Sequence, residues 1–359
     1  MFSPRQRTVG VAYADGKMLP SRHTLAGEVF VGSMLTMAAG VRHTLANVRH
    51  PPSNIRNSRT VDKVHLAEIL LLPNMKIYNL TGYLIIFSYM LACMYFAPAH
   101  LGPWTGILIG AVYFIFCWFL GGLYLADVLH LGIAHRSLDY KEWFIKIVTV
   151  VNNVFGLYVD PIAWVNRHRL HHKHSDHPGD PNKVSGDGFW RTFYLCVMPY
   201  RCNDNLAGDE ILRSRTFRIV ANPVFAILAQ ASSFYVFWKL VGDLKFVLAM
   251  WIGIRIFAQW VNMVQNYWTH TRTFGYRRYD DEDDNAMNIG EWLPVTATFS
   301  ACFQNNHHHY PGLLRLSHDK SEYDFGFVTV KVMKYFGLVK ASRTGAEVPK
   351  DVPLGALEF

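Results

Sequence analysis

A stretch of fifty residues, from Ile77 to Ala126, contains no Asp, Glu, Lys or Arg. Because one membrane-spanning helix needs about 20 apolar residues, this stretch is long enough for two. It is interrupted by the sequence AHLGPW, in which adjacent Gly and Pro residues favour a turn. The sequence therefore predicts a transmembrane hairpin with spans near residues 79–98 and 104–126.

A second apolar region predicts a second hairpin. It runs from Ile219 to Tyr267 and is split by the sequence VGDLK, which gives spans near 219–240 and 245–267. Residues 1–76 hold ten Lys or Arg against four Asp or Glu. Since basic segments stay in the cytoplasm, we expect both termini and the long central loop to be cytoplasmic. The apolar segment 144–159 is too short to span and predicts an interfacial or re-entrant helix.

The composition argues against several other classes of protein. With 51% hydrophobic and 17% charged residues, the chain is too apolar to be disordered. Its five cysteines include no C-x-x-C pair, so neither a disulfide framework nor a cysteine-based zinc site is expected. No nucleic-acid-binding motif accompanies the net charge of +8, which suits anionic lipid or an acidic ligand.

Histidine is the residue type that indicates function, because the chain has 17 and most of them are clustered. The clusters and one isolated histidine all fall in segments predicted to be cytoplasmic, next to the ends of spans. They comprise His130 and His135; His168, His171 and His172; His270; and His307, His308 and His309. Asn266 precedes His270 by one helical turn, and Gln304 precedes the last cluster, so both are further candidate ligands.

The number of histidines exceeds what one zinc ion requires, because a structural zinc site uses four ligands and a catalytic site three. Imidazole nitrogen also binds iron, copper and nickel, so two transition-metal ions that share the ligands are the economical interpretation. A metal-binding receptor or transporter is the alternative from another class. A transporter places its ionisable ligands at mid-membrane depth, whereas these histidines lie outside the predicted spans.

Two further charged features lie outside the histidine clusters. Arg255 falls near the middle of the fourth predicted span, where a charge is costly unless it faces the protein interior or a polar cavity. The acidic run from Asp280 to Asp284 predicts a solvated loop, with docking of an electron donor as the alternative.

Four motifs in order, HLGIAHR, WVNRHRLHHKHSDHPGDP, NYWTHTRTFGYRRYD and QNNHHHYP, resemble the membrane-bound fatty acid desaturases, in particular the acyl-CoA Δ9 or stearoyl-CoA branch. The resemblance implies an all-α integral membrane fold, with two transmembrane hairpins beneath a cytoplasmic helical cap. We therefore divide the chain into a basic cytoplasmic N-terminal region (1–76), a desaturase-like membrane domain (77–340) and a C-terminal tail (341–359).

The resemblance also implies the parts of the site. Two iron ions would lie where the cap meets the spans, with O2 as co-substrate and electrons from a separate donor. The donor would be cytochrome b5, ferredoxin or rubredoxin with its reductase. The implied iron ligands are His130, His135, His168, His171, His172, His270, His307 and His308, with Asn266 acting through a water and Gln304 in the position of a further ligand.

Other residues are candidates for supporting roles. Asp176 and Asp180 are suited to orient ligand imidazoles through hydrogen bonds. The family's substrate tunnel implies aromatic walls, for which the candidates are Trp164, Trp260 and Trp268. Arg255 is a further tunnel candidate, with a role near the substrate.

Two residues depart from the family pattern. Gln304 stands where the Δ9 branch has histidine and resembles the front-end desaturases instead, which leaves the position of the double bond open. Asn182 stands where many relatives have histidine after Asp-Pro. The expected reaction is insertion of a cis double bond into a long acyl chain. The alternatives are hydroxylation and decarboxylation of a free fatty acid to a terminal alkene. The iron site alone does not distinguish these reactions from desaturation.

Overall fold

The computed structural model describes residues 76–184, 188–198, 206–281 and 284–342, which all fall within one compact unit, Leu71–Phe359. Apart from Lys76, the predicted N-terminal region lies outside the described residues, as does the predicted tail beyond residue 342.

The described residues are mostly helical. In chain order the helices are α1 (Ile77–Tyr95), α2 (Gly102–Gly122), α3 (Glu142–Phe155), α4 (Pro161–His174), α5 (Gly188–Val197), α6 (Glu210–Arg213), α7 (Arg215–Val220), α8 (Pro223–Val241), α9 (Leu244–Asn266), α10 (Trp292–Ala297), α11 (Gln304–His309) and α12 (Phe325–Tyr335). A π-helical segment (Leu123–Ala134) continues α2, and a 3₁₀ turn (Trp268–His270) follows α9. Two short strands, β1 (Leu138–Tyr140) and β2 (Val339–Ser342), form an antiparallel pair.

Four of the described helices are long and apolar enough to cross a membrane, as predicted: α1, α2 with its π-helical continuation, α8 and α9. The third of these helices, α8, begins at Pro223, four residues after the predicted start near residue 219. Asn222 caps this helix, with its side-chain oxygen accepting the N–H of Val224 at 2.8 Å. An Asn cap followed by Pro is a strong signal for a helix start, and it separates α8 from α7.

Glycines allow three of these helices to pack closely. Gly106 and Gly110 lie one turn apart on α2 and face α1, where a Cβ atom at Gly110 would lie only 2.5 Å from the sulfur of Cys93. Gly82 of α1 leaves room in the same way for the indole ring of Trp260 in α9. Small residues at this spacing let membrane helices approach to backbone contact. Helix α1 thus packs against both α2 and α9.

Helix α3 has one buried and one exposed apolar face. It buries Phe144, Ile145 and Val148 and exposes Trp143 and Ile147. A helix therefore forms where the sequence predicts an interfacial or re-entrant one. Its exposed apolar face suits a membrane surface, and that location stays a prediction.

A small sheet departs from the all-α prediction. Strands β1 and β2 pair antiparallel, with Leu138 opposite Ser342. The pair joins the last described residues of the chain to the segment directly after His135. The predicted boundary between membrane domain and tail, at residue 340, falls inside β2.

We expect the N-cap of α4 to contribute about 1 kcal/mol to folding stability. The Asp160 carboxylate accepts the N–H groups of Ile162 and Ala163, both at 3.0 Å. Asp160→Ala should lower the free energy of unfolding by about that amount, measured by chemical denaturation in detergent. Asp160→Asn keeps the accepting oxygen and should lose much less. Equal losses in the two variants would show that the cap is not the cause.

Candidate metal centre

The ring nitrogens of eight histidines lie in two groups, which we call the first and second histidine groups. The first contains His130, His135, His168, His172 and His307, and the second contains His171, His270 and His308. Within each group, one nitrogen from every residue lies within 4.8 Å of all the others. The structure thus brings together all eight histidines that the sequence predicts as ligands.

The π-helical segment places the first two of these residues. Five positions separate His130 from His135, a spacing that puts residues on different faces of an α-helix with 3.6 residues per turn. In a π-helix the backbone bonds run from residue i to i+5, so residues five apart lie close together. The N–H of His135 bonds to the carbonyl of His130 at 3.0 Å, and their ring centroids are 4.8 Å apart.

Helix α4 supplies histidines to both groups. His168 and His172 are four positions apart, share one face and belong to the first group. His171 precedes His172 by one residue, so its side chain points in a different direction around the helix. It belongs to the second group. The two groups are therefore neighbours beside α4, and the rings of His172 and His308, one from each group, are 4.6 Å apart.

Ring nitrogens of different histidines approach one another closely in the first group. The Nε2 atom of His307 lies 2.9 Å from Nε2 of His130 and 3.0 Å from Nε2 of His172, and Nε2 of His135 lies 2.7 Å from Nε2 of His168. A neutral imidazole has one donor and one acceptor nitrogen. Several nitrogen lone pairs that point to one place can bind a shared metal cation at once. Such a cation would satisfy them better than hydrogen bonds between the rings.

Burial keeps these imidazoles in the neutral form that binds metals. It lowers the pKa values of His135, His168, His172 and His307 well below the usual range, and the charges of neighbouring histidines lower them further. Neutral imidazole is the metal-binding form.

Carboxylates orient every histidine of the second group. Nδ1 of His171 lies 2.9 Å from Asp180, Nδ1 of His270 lies 3.3 Å from Asp176, and Nδ1 of His308 lies 2.7 Å from Asp284. Each carboxylate accepts the Nδ1 proton, so the lone pair is left on Nε2, which faces the group. Such a carboxylate–imidazole pair is the usual support of a metal-binding histidine.

The predicted contacts of Asp176 and Asp180 thus exist, and Asp284 is a third that sequence reasoning missed. Burial alone would raise the pKa of the Asp284 carboxyl, but its hydrogen bond with His308 holds that pKa well below the usual range. The prediction of a solvated loop is wrong at Asp284, whose side chain is only 16% exposed. Asp281 is 35% exposed, and its oxygens lie 2.9 Å from Nδ1 of His309. These carboxylate–histidine pairs could not be predicted from the sequence, because more than twenty residues separate the two partners of each pair.

His309 points away from both groups. Its ring stacks on Tyr279 with centroids 4.0 Å apart, and its Nδ1 faces Asp281. Among three consecutive histidines, only His307 and His308 therefore face the candidate centre.

The structure places the other candidate ligands beside the groups. Gln304 is buried at the start of α11, and its amide nitrogen donates to the carbonyl of Ala301. Asn266 ends α9, and its amide nitrogen donates to the carbonyl of Asn262 at 2.8 Å. The roles of Gln304 and Asn266 as ligands stay predictions.

The tunnel candidates are dispersed. Trp164 stacks on His168 with centroids 5.0 Å apart, Trp260 donates its N–H to the carbonyl of Tyr78, and Trp268 packs near Phe189. A cavity of about 600 Å³ is lined by Arg255 but by none of these three tryptophans.

Asn182, a departure from the family pattern, supports the loop that carries Asp180. Its side-chain oxygen accepts from Arg167 at 2.6 Å, and its backbone N–H donates to Asp180 at 2.7 Å. It therefore helps to fix the carboxylate that orients His171.

The sequence matches the family model for fatty acid desaturase over residues 102–319, more than half of the chain. The chain belongs to the fatty acid desaturase family. This confirms the resemblance of the histidine motifs and identifies the protein as an oxidoreductase.

Several relatives of this desaturase have functional names. It is 26% identical over 252 residues to an sn-1 stearoyl-lipid 9-desaturase of Anabaena variabilis, covering 68% of this chain and 85% of the relative. It is 26% identical over 242 residues to an acyl-CoA 5-desaturase of Anemone leveillei, covering 64% and 69%. It is 24% identical over 263 residues to a hex-5-enoyl-acyl-carrier-protein acetylenase of Moorena producens, covering 65% and 75%.

Removal of the Asp284 carboxylate should weaken metal binding. Asp284→Asn leaves His308 without its anionic partner, and loss of such support typically costs about 10–100-fold in metal affinity. Metal content of the purified desaturase, titrated with a chelator, measures the effect. The control is Asp280→Asn in the same acidic run, because Asp280 is exposed. An equal loss in both variants would assign the effect to net charge.

The last histidine cluster offers a second matched pair. His308→Ala removes a nitrogen from the second group and should lower the metal content per protein. His309→Ala should leave it unchanged, because that ring faces Asp281 and Tyr279. Atomic absorption on both purified variants tests this, and metal loss in His309→Ala alone would contradict the assignment.

Proposed function

We propose that this desaturase binds two iron ions through its eight clustered histidines and uses O2 to insert a cis double bond into a long-chain fatty acyl substrate. The division of the imidazoles into two neighbouring groups that share α4 is the observation that supports this most. Relatives named as desaturases support the reaction class.

An unactivated methylene group resists the acids, bases and nucleophiles of a protein, and iron with O2 supplies the oxidant that its dehydrogenation needs. The protein's part is to hold and orient. Asp176, Asp180 and Asp284 fix the rings of the second group by accepting their Nδ1 protons. Burial of His171 and His307 keeps bulk water from the centre.

The cavity lined by Arg255 is the proposed binding site for the alkyl chain. One wall follows α2 and the π-helical segment from Cys117 to Ala126, which ends four residues before His130. The opposite wall follows α9 from Trp251 to Gln265, which ends one residue before Asn266. Both walls therefore lead toward the histidine groups, as a chain-binding cavity for this reaction requires.

We further propose that the four long helices form two transmembrane hairpins, with the histidine groups and both termini on the cytoplasmic side. The excess of Lys and Arg in residues 1–76 supports this orientation. A cytoplasmic centre would take its electrons from a separate donor: cytochrome b5, ferredoxin or rubredoxin with its reductase.

Products made in a bacterial host test the reaction. We expect cells that express the wild type with a redox partner to accumulate new monounsaturated fatty acids, detected by gas chromatography with mass spectrometry. His171→Ala should abolish them while the protein still inserts in the membrane, because His171 belongs to the second group. Hydroxy acids, or alkenes one carbon shorter than the host acids, would contradict desaturation. Full activity of His171→Ala would contradict the metal centre.

A further inference from the structure

A single charged residue lines the cavity. Among the described residues that form its walls, Arg255 is charged and none is Asp or Glu. A charge within a membrane-spanning helix is costly and marks a functional position by default. The question that the structure raises is therefore which anion compensates it.

In the described part of the chain, the hydrogen-bond partners of Arg255 are neutral groups. Nη1 of Arg255 donates to the carbonyl of Trp251 at 2.8 Å, and Nη2 donates to the side-chain oxygen of Gln230 at 2.6 Å. No Asp or Glu in the described part of the chain forms an ion pair with it. Its ionisable neighbours, Tyr113 and Cys117, are ordinarily uncharged at neutral pH.

The guanidinium is also held in place. It lies over the ring of Trp251, with its central carbon 3.1 Å from the ring centroid. Gln230 is fixed in turn, because its amide nitrogen donates to the carbonyl of Asn153 at 2.8 Å and thereby turns its oxygen toward Arg255. A guanidinium has five N–H donors, so it retains donors beyond these two bonds. A rigid cation with spare donors in an apolar cavity suits a carboxylate.

The cavity also borders the surface that α8 turns outward. Ala226 and Ile227 line it, and Ile227 is 70% exposed on the apolar outside of this span. A ligand dissolved in the bilayer can approach along that side. A carrier such as coenzyme A is too polar to do so, whereas an unesterified fatty acid is not.

We propose that the cavity binds an unesterified long-chain fatty acid, with its carboxylate paired to Arg255 and its alkyl chain extending toward the histidine groups. This rests on the desaturase function proposed above and adds the form of the substrate. Arg255 lies eleven residues before Asn266 on α9, or about 16 Å along the axis. The bonds presented to the histidines are therefore remote from the carboxylate, which argues against decarboxylation.

Binding of octadecanoic acid, compared with its uncharged methyl ester, tests the proposal on the purified full-length protein in detergent. At pH 8 we expect the wild type to bind the acid at least about tenfold more tightly, the discrimination that charged hydrogen bonds provide. Arg255→Met should lose this preference and keep its affinity for the ester. Arg255→Gln serves the same purpose if the Met variant does not fold.

Two variants of residues that line the same cavity serve as controls. Arg255→Lys retains the charge and should retain a preference for the acid. Gln259→Met removes a polar side chain from the same wall, one turn along α9, and should not change the preference. No preference in the wild type, or a preference that survives in Arg255→Met, would overturn the proposal.

The binding measurement needs no turnover, so the two proposals fail separately. A preference for the acid without any unsaturated product would overturn only the desaturase reaction. Unsaturated product without a preference for the acid would overturn only the carboxylate site.

Discussion

Eight imidazoles share one small, mostly buried volume, and the remaining features of the site follow from the need to keep their lone pairs directed inward. The Nε2 atom of His307 lies within hydrogen-bond distance of the Nε2 atoms of both His130 and His172, whereas a neutral imidazole nitrogen carries either one proton or one lone pair. Burial lowers the pKa values of the first group, which removes the charge but leaves the lone pairs unsatisfied. The metal ions proposed above would use these lone pairs.

The two groups differ in electrostatics. The first has ring nitrogens facing ring nitrogens, whereas carboxylates support each histidine of the second. Asp176 and Asp284 also lie close enough to His270 to form a third cluster of metal-binding groups. The second group is therefore the more anionic environment, and a cation bound there gains more from its surroundings.

Much of this arrangement was predictable from the sequence, for identifiable reasons. The four apolar helices follow from long stretches without charge, and the eight histidines follow from spacing and from resemblance to a family. Asp284 was not predictable, because only the fold brings it to His308. The pairing of His130 with His135 was expected from the sequence, but the helix type that produces it was not, since five-residue spacing brings side chains together in a π-helix. The start of α8 was readable from Asn222 and Pro223, but the apolar run concealed it.

The order in which the chain is made limits when the site can exist. His130 and His307 contact each other across 177 residues of sequence, and β1 acquires its partner strand only when residues 339–342 have been synthesised. Chains are synthesised from the N-terminus, and contacts between distant residues form last. The four long helices are therefore synthesised before His307 and His308, the last histidines of the two groups. A chain truncated before residue 307 would hold the four long helices but would lack His307 and His308, one histidine of each group.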